Sequence, residues 1–171
     1  MVDINQITEL VRSAMAGENN LAHTTARKSD VKENPLGVTL ATAKKLSEAV
    51  MERAAEIGVK AVCAVVNSGA RPVLVECADD SFIASYDIAL NKAYTSVSLK
   101  MKTSQLCELA QPNAPLYGIQ HTNEGKIVIF GGGIPLVKDG KIIGGFGVSG
   151  GTAEQDTYLG DYAEEVFSKL Q

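Results

Sequence analysis

The sequence predicts an α+β fold in which helices pack on an antiparallel sheet. Three observations carry this. Turn signals at Asn67-Ser68-Gly69-Ala70 and Asp139-Gly140 each separate two apolar runs, as hairpins do. Apolar residues recur at helical spacing in three longer segments. The resulting order, α-β-β-α-irregular-β-β-β-α, joins hairpins rather than parallel strand-helix-strand units.

Residues 3–16 read as a short helix, with Asp3 as N-cap and Gln6 placed to complete a capping box. Ile4, Ile7, Leu10, Val11, Ala14 and Met15 share one face, and Gly17 ends it. A helix this short needs a partner. The polar stretch 18–36 reads as a linker, so the chain divides into 1–17, 18–36 and a main domain over 37–171. There, Thr39 is the expected N-cap of a helix reaching Ile57, with Leu46, Val50, Ala54 and Ile57 inward and Gly58 at its end. Strands are expected at 59–66 and 72–76. Asp79-Asp80-Ser81 opens the next helix, whose repeating apolar positions are Ile83, Tyr86, Leu90, Ala93 and Val97. Residues 101–122 look irregular, with a short helical piece near 105–109 and two prolines, Pro112 and Pro115. Three strands follow at 126–130, 134–138 and 141–148, which brings the sheet to five. The segment 153–170 closes as a helix with Tyr158, Tyr162 and Val166 in register.

Bulk properties narrow the function. A chain of 171 residues, 45% hydrophobic and 21% charged, fits one globular domain with an appendage. A net charge of −4 and no dense basic run argue against nucleic acid as a partner. No apolar run approaches the roughly 20 residues that span a bilayer, so no membrane partner is expected. The first residues carry no secretory pattern. Three widely spaced cysteines, Cys63, Cys77 and Cys107, suit reduced thiols and a cytoplasmic location. Cys63 reads as a small buried hydrophobe.

Gly145-Phe146-Gly147-Val148-Ser149-Gly150 matches the dinucleotide pattern G-x-G-x-x-G. The pattern has mechanical meaning only where a strand opens a parallel strand-helix-strand unit. Here the preceding strand belongs to a hairpin, and one helix and no strand follow. Two readings of the glycines stay open. They permit close backbone approach at a packing corner, or backbone N–H groups at the last helix's start hold an anion such as a carboxylate.

Gly131-Gly132-Gly133-Ile134-Pro135-Leu136, Asp139-Gly140, Gly144 to Gly151 and Gln155-Asp156 together resemble the GlcG/HbpS/PduO C-terminal family of haem-binding or haem-degrading proteins. Val65 to Ala70, Val73-Leu74, Ala84-Ser85, Ala89, Lys92-Ala93 and Thr95 agree with it, and the resemblance spans about residues 38–169. Asn67 and the run Cys77-Ala78-Asp79-Asp80 depart from the family pattern. The resemblance implies a profilin-like, five-stranded antiparallel sheet and homo-oligomers from dimer to octamer. It also implies haem or a related tetrapyrrole as cofactor, and links to diol or glycolate utilisation. No catalytic mechanism is general to the family.

The candidate ligand-binding residues are Gly147, Ser149, Gly150, Gly151, Lys92 and Tyr117. Imidazole suits haem iron, and the two histidines are His121, in the irregular segment, and His23, in the linker. Lys92 stands among apolar neighbours, where it pairs with an acid, reaches a ligand carboxylate, or snorkels. Asp156, in the last helix's first turn, complements the dipole and is placed to bond the glycine loop. Tyr86 and Tyr94 read as core or interface aromatics. Ser149 has no base nearby in sequence, and Asp79-Asp80 lacks further metal ligands.

The leading expectation is a small tetrapyrrole-binding protein. The segment 3–16 resembles peptides that direct cargo to bacterial microcompartment shells, so a shell protein is a candidate partner. The same helix could instead dock on its own oligomer. Two other readings stand beside this one: an enzyme that holds a small carboxylate or aldehyde at Gly147–Gly151, and an assembly protein without a small ligand.

Overall fold

A computed structural model describes residues 37–171. The expected helix over 3–16 and the linker over 18–36 lie outside them. Helix α1 (Leu40–Glu56) leads into a hairpin of β1 (Val62–Asn67) and β2 (Pro72–Cys77). Helix α2 (Ile83–Leu99) and the short α3 (Thr103–Leu109) follow, then two 3₁₀ turns. A second hairpin, β3 (Gly133–Lys138) and β4 (Lys141–Ser149), leads to α4 (Ala153–Lys169). All pairings are antiparallel, in the order β2-β1-β4-β3. The α+β class is as expected.

Among the described residues the sheet has four strands, not five. Residues 126–130 do not join a ladder. Thr95 of α2 holds them instead: its Oγ1 accepts from the Val128 N–H (3.0 Å) and lies 3.3 Å from the Lys126 carbonyl. Ile127 is buried in consequence. The apolar run at 126–130 records burial against a helix, which sequence periodicity cannot separate from burial in a sheet.

The two central strands, β1 and β4, are buried on both faces. Cys63, Val65, Phe146 and Val148 face α1 and α4, where Leu46, Val50, Leu159, Ala163 and Phe167 complete the larger core. Val62, Ala64 and Val66 face α2 and meet Ala89, Ala93 and Val97. Each fully buried large side chain contributes roughly 1.5–3 kcal/mol.

Local chemistry starts and stops these elements. The Thr42 N–H donates to Thr39 Oγ1, so Thr39 caps α1 as expected. The closing helix has a reciprocal cap: Gln155 N–H donates to Thr152 Oγ1, and Thr152 N–H to Gln155 Oε1. Asp139 (φ 49°) and Gly140 (φ 72°) turn the second hairpin with the positive φ pair that a two-residue loop needs.

Two helix faces differ from expectation. On α2, Ile83 is 95% exposed and Tyr86 47%, while Ser85, Ala89, Lys92, Ala93 and Ser96 point inward. On α4 the buried stripe is Asp156, Leu159, Ala163 and Phe167, and Tyr158 is exposed. On α2 small or polar residues take most of the inward positions because the sheet leaves little room there.

Candidate functional site

The reason for that crowding is the glycine segment. Gly145 and Gly147 of β4 face α2, and the helix backbone lies directly on them. A Cβ on Gly145 would sit 2.6 Å from the Ala93 carbonyl oxygen, and one on Gly147 2.6 Å from the Ala93 nitrogen. Gly133 meets the Lys92 carbonyl at the same distance. No side chain fits such gaps, so these glycines are a seat for a helix. The strand carrying them lies antiparallel between β1 and β3, which rules out a strand-helix-strand nucleotide loop.

That close seat brings Lys92 to the end of the sheet. Its ammonium is fully buried and donates to Asp156 Oδ2 (2.6 Å) and to the Val148 carbonyl (2.8 Å). The Phe130 ring covers it at 4.6 Å. Asp156 Oδ1 in turn accepts from the Gly151 N–H (3.0 Å). Helices on opposite faces of the sheet are thereby joined through one ion pair. Gly132, at φ 108°, lets the chain pass beside it, because a Cβ there would come 2.9 Å from the ammonium. Burial pulls the lysine below its ordinary pKa, and Asp156 opposes that pull.

Of the three uses foreseen for Lys92, the structure shows the acid pair. Gly147 is packed under α2, and the Gly151 N–H already holds a carboxylate, the chain's own Asp156. Ser149 is buried and bonded to Ser85 Oγ. Gly150 lies against the Lys60 carbonyl, where a Cβ would come within 2.5 Å. The expected ligand-binding residues therefore share a corner, but their polar groups face one another. Tyr117 is separate and 67% exposed. His121 is exposed at the end of a 3₁₀ turn (Ile119–His121), and His23 lies outside the described residues. Among the described residues no group of three or more His, Cys, Asp or Glu could hold a metal ion.

Beside this corner runs an open groove of about 570 Å³ between α3, the Phe130-Gly131 turn and the first half of α4. Phe130 is shared: the ring above Lys92 also lines the groove. Tyr158 adds a second aromatic, Cys107 a half-buried thiol, and Glu108, Glu154 and Asp161 the acids. The size falls in the range of small-molecule sites. Sequence reasoning missed these residues. Phe130 was expected at the end of a strand and Tyr158 in the core of α4, and no local pattern brings α3 to α4.

Aromatic lining residues suit a flat, mostly apolar molecule, and a cysteine thiolate is among the groups that hold haem iron. The residues present therefore fit the body of a haem-like ring. They supply no cation for its carboxylate side chains, since none of the groove's lining residues is basic.

Fold and site together define a class: a small α+β domain with helices on both faces of an antiparallel sheet and a groove at the seam of two helices. The chain belongs to the HbpS-like family, described as "Haem degrading protein HbpS-like", whose model matches residues 38–163. It is similar to an uncharacterised 15.0 kDa protein from the dhaT-dhaS intergenic region of Citrobacter freundii, with 50% identity over 133 residues, 78% of this chain and 94% of that one. It is 37% identical over 122 residues to the corrinoid adenosyltransferase PduO of Salmonella typhimurium; that match covers 71% of this chain but only 36% of PduO. A solved structure titled as a PduOC:Heme complex superposes with a TM-score of 0.73 at 35% identity, covering 76% of this chain and 94% of that one.

Proposed function

We propose that the protein binds haem or a related tetrapyrrole in the groove between α3 and α4. The observation that carries this is a groove of about 570 Å³ lined by Phe130, Tyr158 and the Cys107 side chain. The heme complex of the similar PduOC structure supports it. Bound haem brings redox chemistry at its iron. The chain's part is to wall the ring, exclude water from one face and offer a donor. Cys107 is the donor within the groove, and His121 lies apart from it on a 3₁₀ turn. The protein acts as a homo-oligomer accessory to diol or glycolate utilisation, and residues 3–16 address it to a microcompartment shell protein.

Titration of the full chain with ferric haem, followed in the Soret band, tests this. A saturable shift is expected, weakened about tenfold by Phe130→Ala. Cys107→Ala should change the spectrum and His121→Ala should not. Absence of any shift in the wild type sinks the proposal. A change only in His121→Ala moves the site away from the groove. Deletion of residues 3–16 should abolish capture by purified shell protein while leaving the haem titration intact.

A further inference from the structure

The groove's charge says more about its ligand than its size does. Glu108, Glu154 and Asp161 line it, and no basic residue does. Asp161 is paired with Lys102, whose Nζ donates to Asp161 Oδ1 (2.9 Å) and to Glu164 Oε2 (2.7 Å). Lys102 is thereby committed to two acids at once. Glu108 and Glu154 form no ion pair among the described residues. Glu154 is held below the ordinary carboxylate range by its own backbone N–H and by the Thr152 hydroxyl, so it is charged at neutral pH. The Lys92 ammonium lies behind Phe130, already bonded to Asp156 and the Val148 carbonyl. A ligand in this groove meets aromatic walls with an anionic border.

We propose that this border, through Glu108 and Glu154, selects tetrapyrroles by peripheral charge, preferring rings edged with uncharged amides or esters to rings bearing free carboxylates. The proposal rests on the groove being the tetrapyrrole site. Its physical basis is like-charge repulsion across a few ångströms of partly screened solvent, which acts on specificity more than on the stacking of the ring itself. Both acids are exposed, so the effect is modest and salt-sensitive.

The test compares iron protoporphyrin IX with its dimethyl ester, the same ring and metal with both carboxylates neutralised. Each is titrated into the full chain by absorbance at low and high sodium chloride. The ester should bind about three- to tenfold more tightly at low salt, and salt should narrow the gap by strengthening the dicarboxylate. Glu108→Gln with Glu154→Gln should strengthen the dicarboxylate several-fold and leave the ester unchanged. Equal or tighter binding of the dicarboxylate at low salt overturns the proposal, and so does a ratio indifferent to both salt and substitution. The salt series needs no substitution, so a variant that folds poorly does not protect the idea. Binding of neither ring removes the functional reading itself, an outcome distinct from binding of both without discrimination.

Discussion

Lys92 is a charged side chain with 0% exposure, tolerated because three groups meet it: a carboxylate, a carbonyl and an aromatic face. Removing one member of a buried pair costs more than removing both, because the other charge is left unpaired. Asp156→Gly should therefore lower stability by about 3–5 kcal/mol in denaturant melts, while Lys92→Met with Asp156→Leu loses less than either single change. Added formate should restore part of the melting temperature of Asp156→Gly and leave the wild type unmoved. The vacated position keeps the Gly151 N–H, the Lys92 ammonium and the helix N-terminus, all of which favour an anion. Cys63 offers a second prediction. Burial pushes its thiol far above the ordinary value of about 8.5. Above about pH 8.5 the unfolded chain gives up a proton that the folded chain keeps, so stability falls as pH rises, by up to about 1.4 kcal/mol per pH unit. Cys63→Ala should flatten that alkaline limb relative to the wild type, whatever its effect at neutral pH.

At the scale of elements, the glycines divide into two kinds with different penalties. Gly140 needs its positive φ but has nothing within 4 Å of a Cβ, so Gly140→Ala should cost about 1 kcal/mol. Gly147 lies against the backbone of α2, which cannot step aside. Gly147→Val should cost about 3 kcal/mol or more and broaden near-ultraviolet signals as α2 lifts. The segment 126–130 depends on one hydroxyl. Thr95→Val keeps the shape but orphans the Val128 N–H, and a loss of about 1–3 kcal/mol is expected in urea titration. Hydrogen exchange at Val128 should accelerate in that variant.

For the whole molecule, the sheet is the shared wall of two cores, and the Lys92–Asp156 pair ties the helices on either side of it. Neither face can open without exposing β1 and β4. Residues 37–171 should therefore unfold in one transition, with far- and near-ultraviolet signals coincident. Separate midpoints would show that α2 detaches first. The proposed ligand groove lies at the seam where α3, the Phe130 turn and α4 meet, and Phe130 belongs both to the groove and to the cover of the ion pair. Ligand binding should thus stabilise the whole domain rather than a local loop.

The sequence by itself determined the α+β class, the two hairpins, the Thr39 cap and the approximate extents of the main helices, although α2 starts at Ile83 with no side-chain cap from Asp79-Asp80-Ser81. These follow from local chemistry: Thr39 beside an amphipathic run, Asp139-Gly140 between two apolar strands, and apolar repeats of fixed period. The family was also visible in the glycine-rich combination from Gly131 to Gly151. Only the tertiary structure decided which face of α2 is inside, because close approach to glycine favours alanine and serine over larger apolar residues. It alone showed that 126–130 is pinned by Thr95 and adds no strand. It alone brought Lys92 to Asp156 across 64 positions and made the glycine corner self-satisfied. The groove was invisible for the same reason: its walls come from three segments, and contact between them is set by how the helices pack on the sheet.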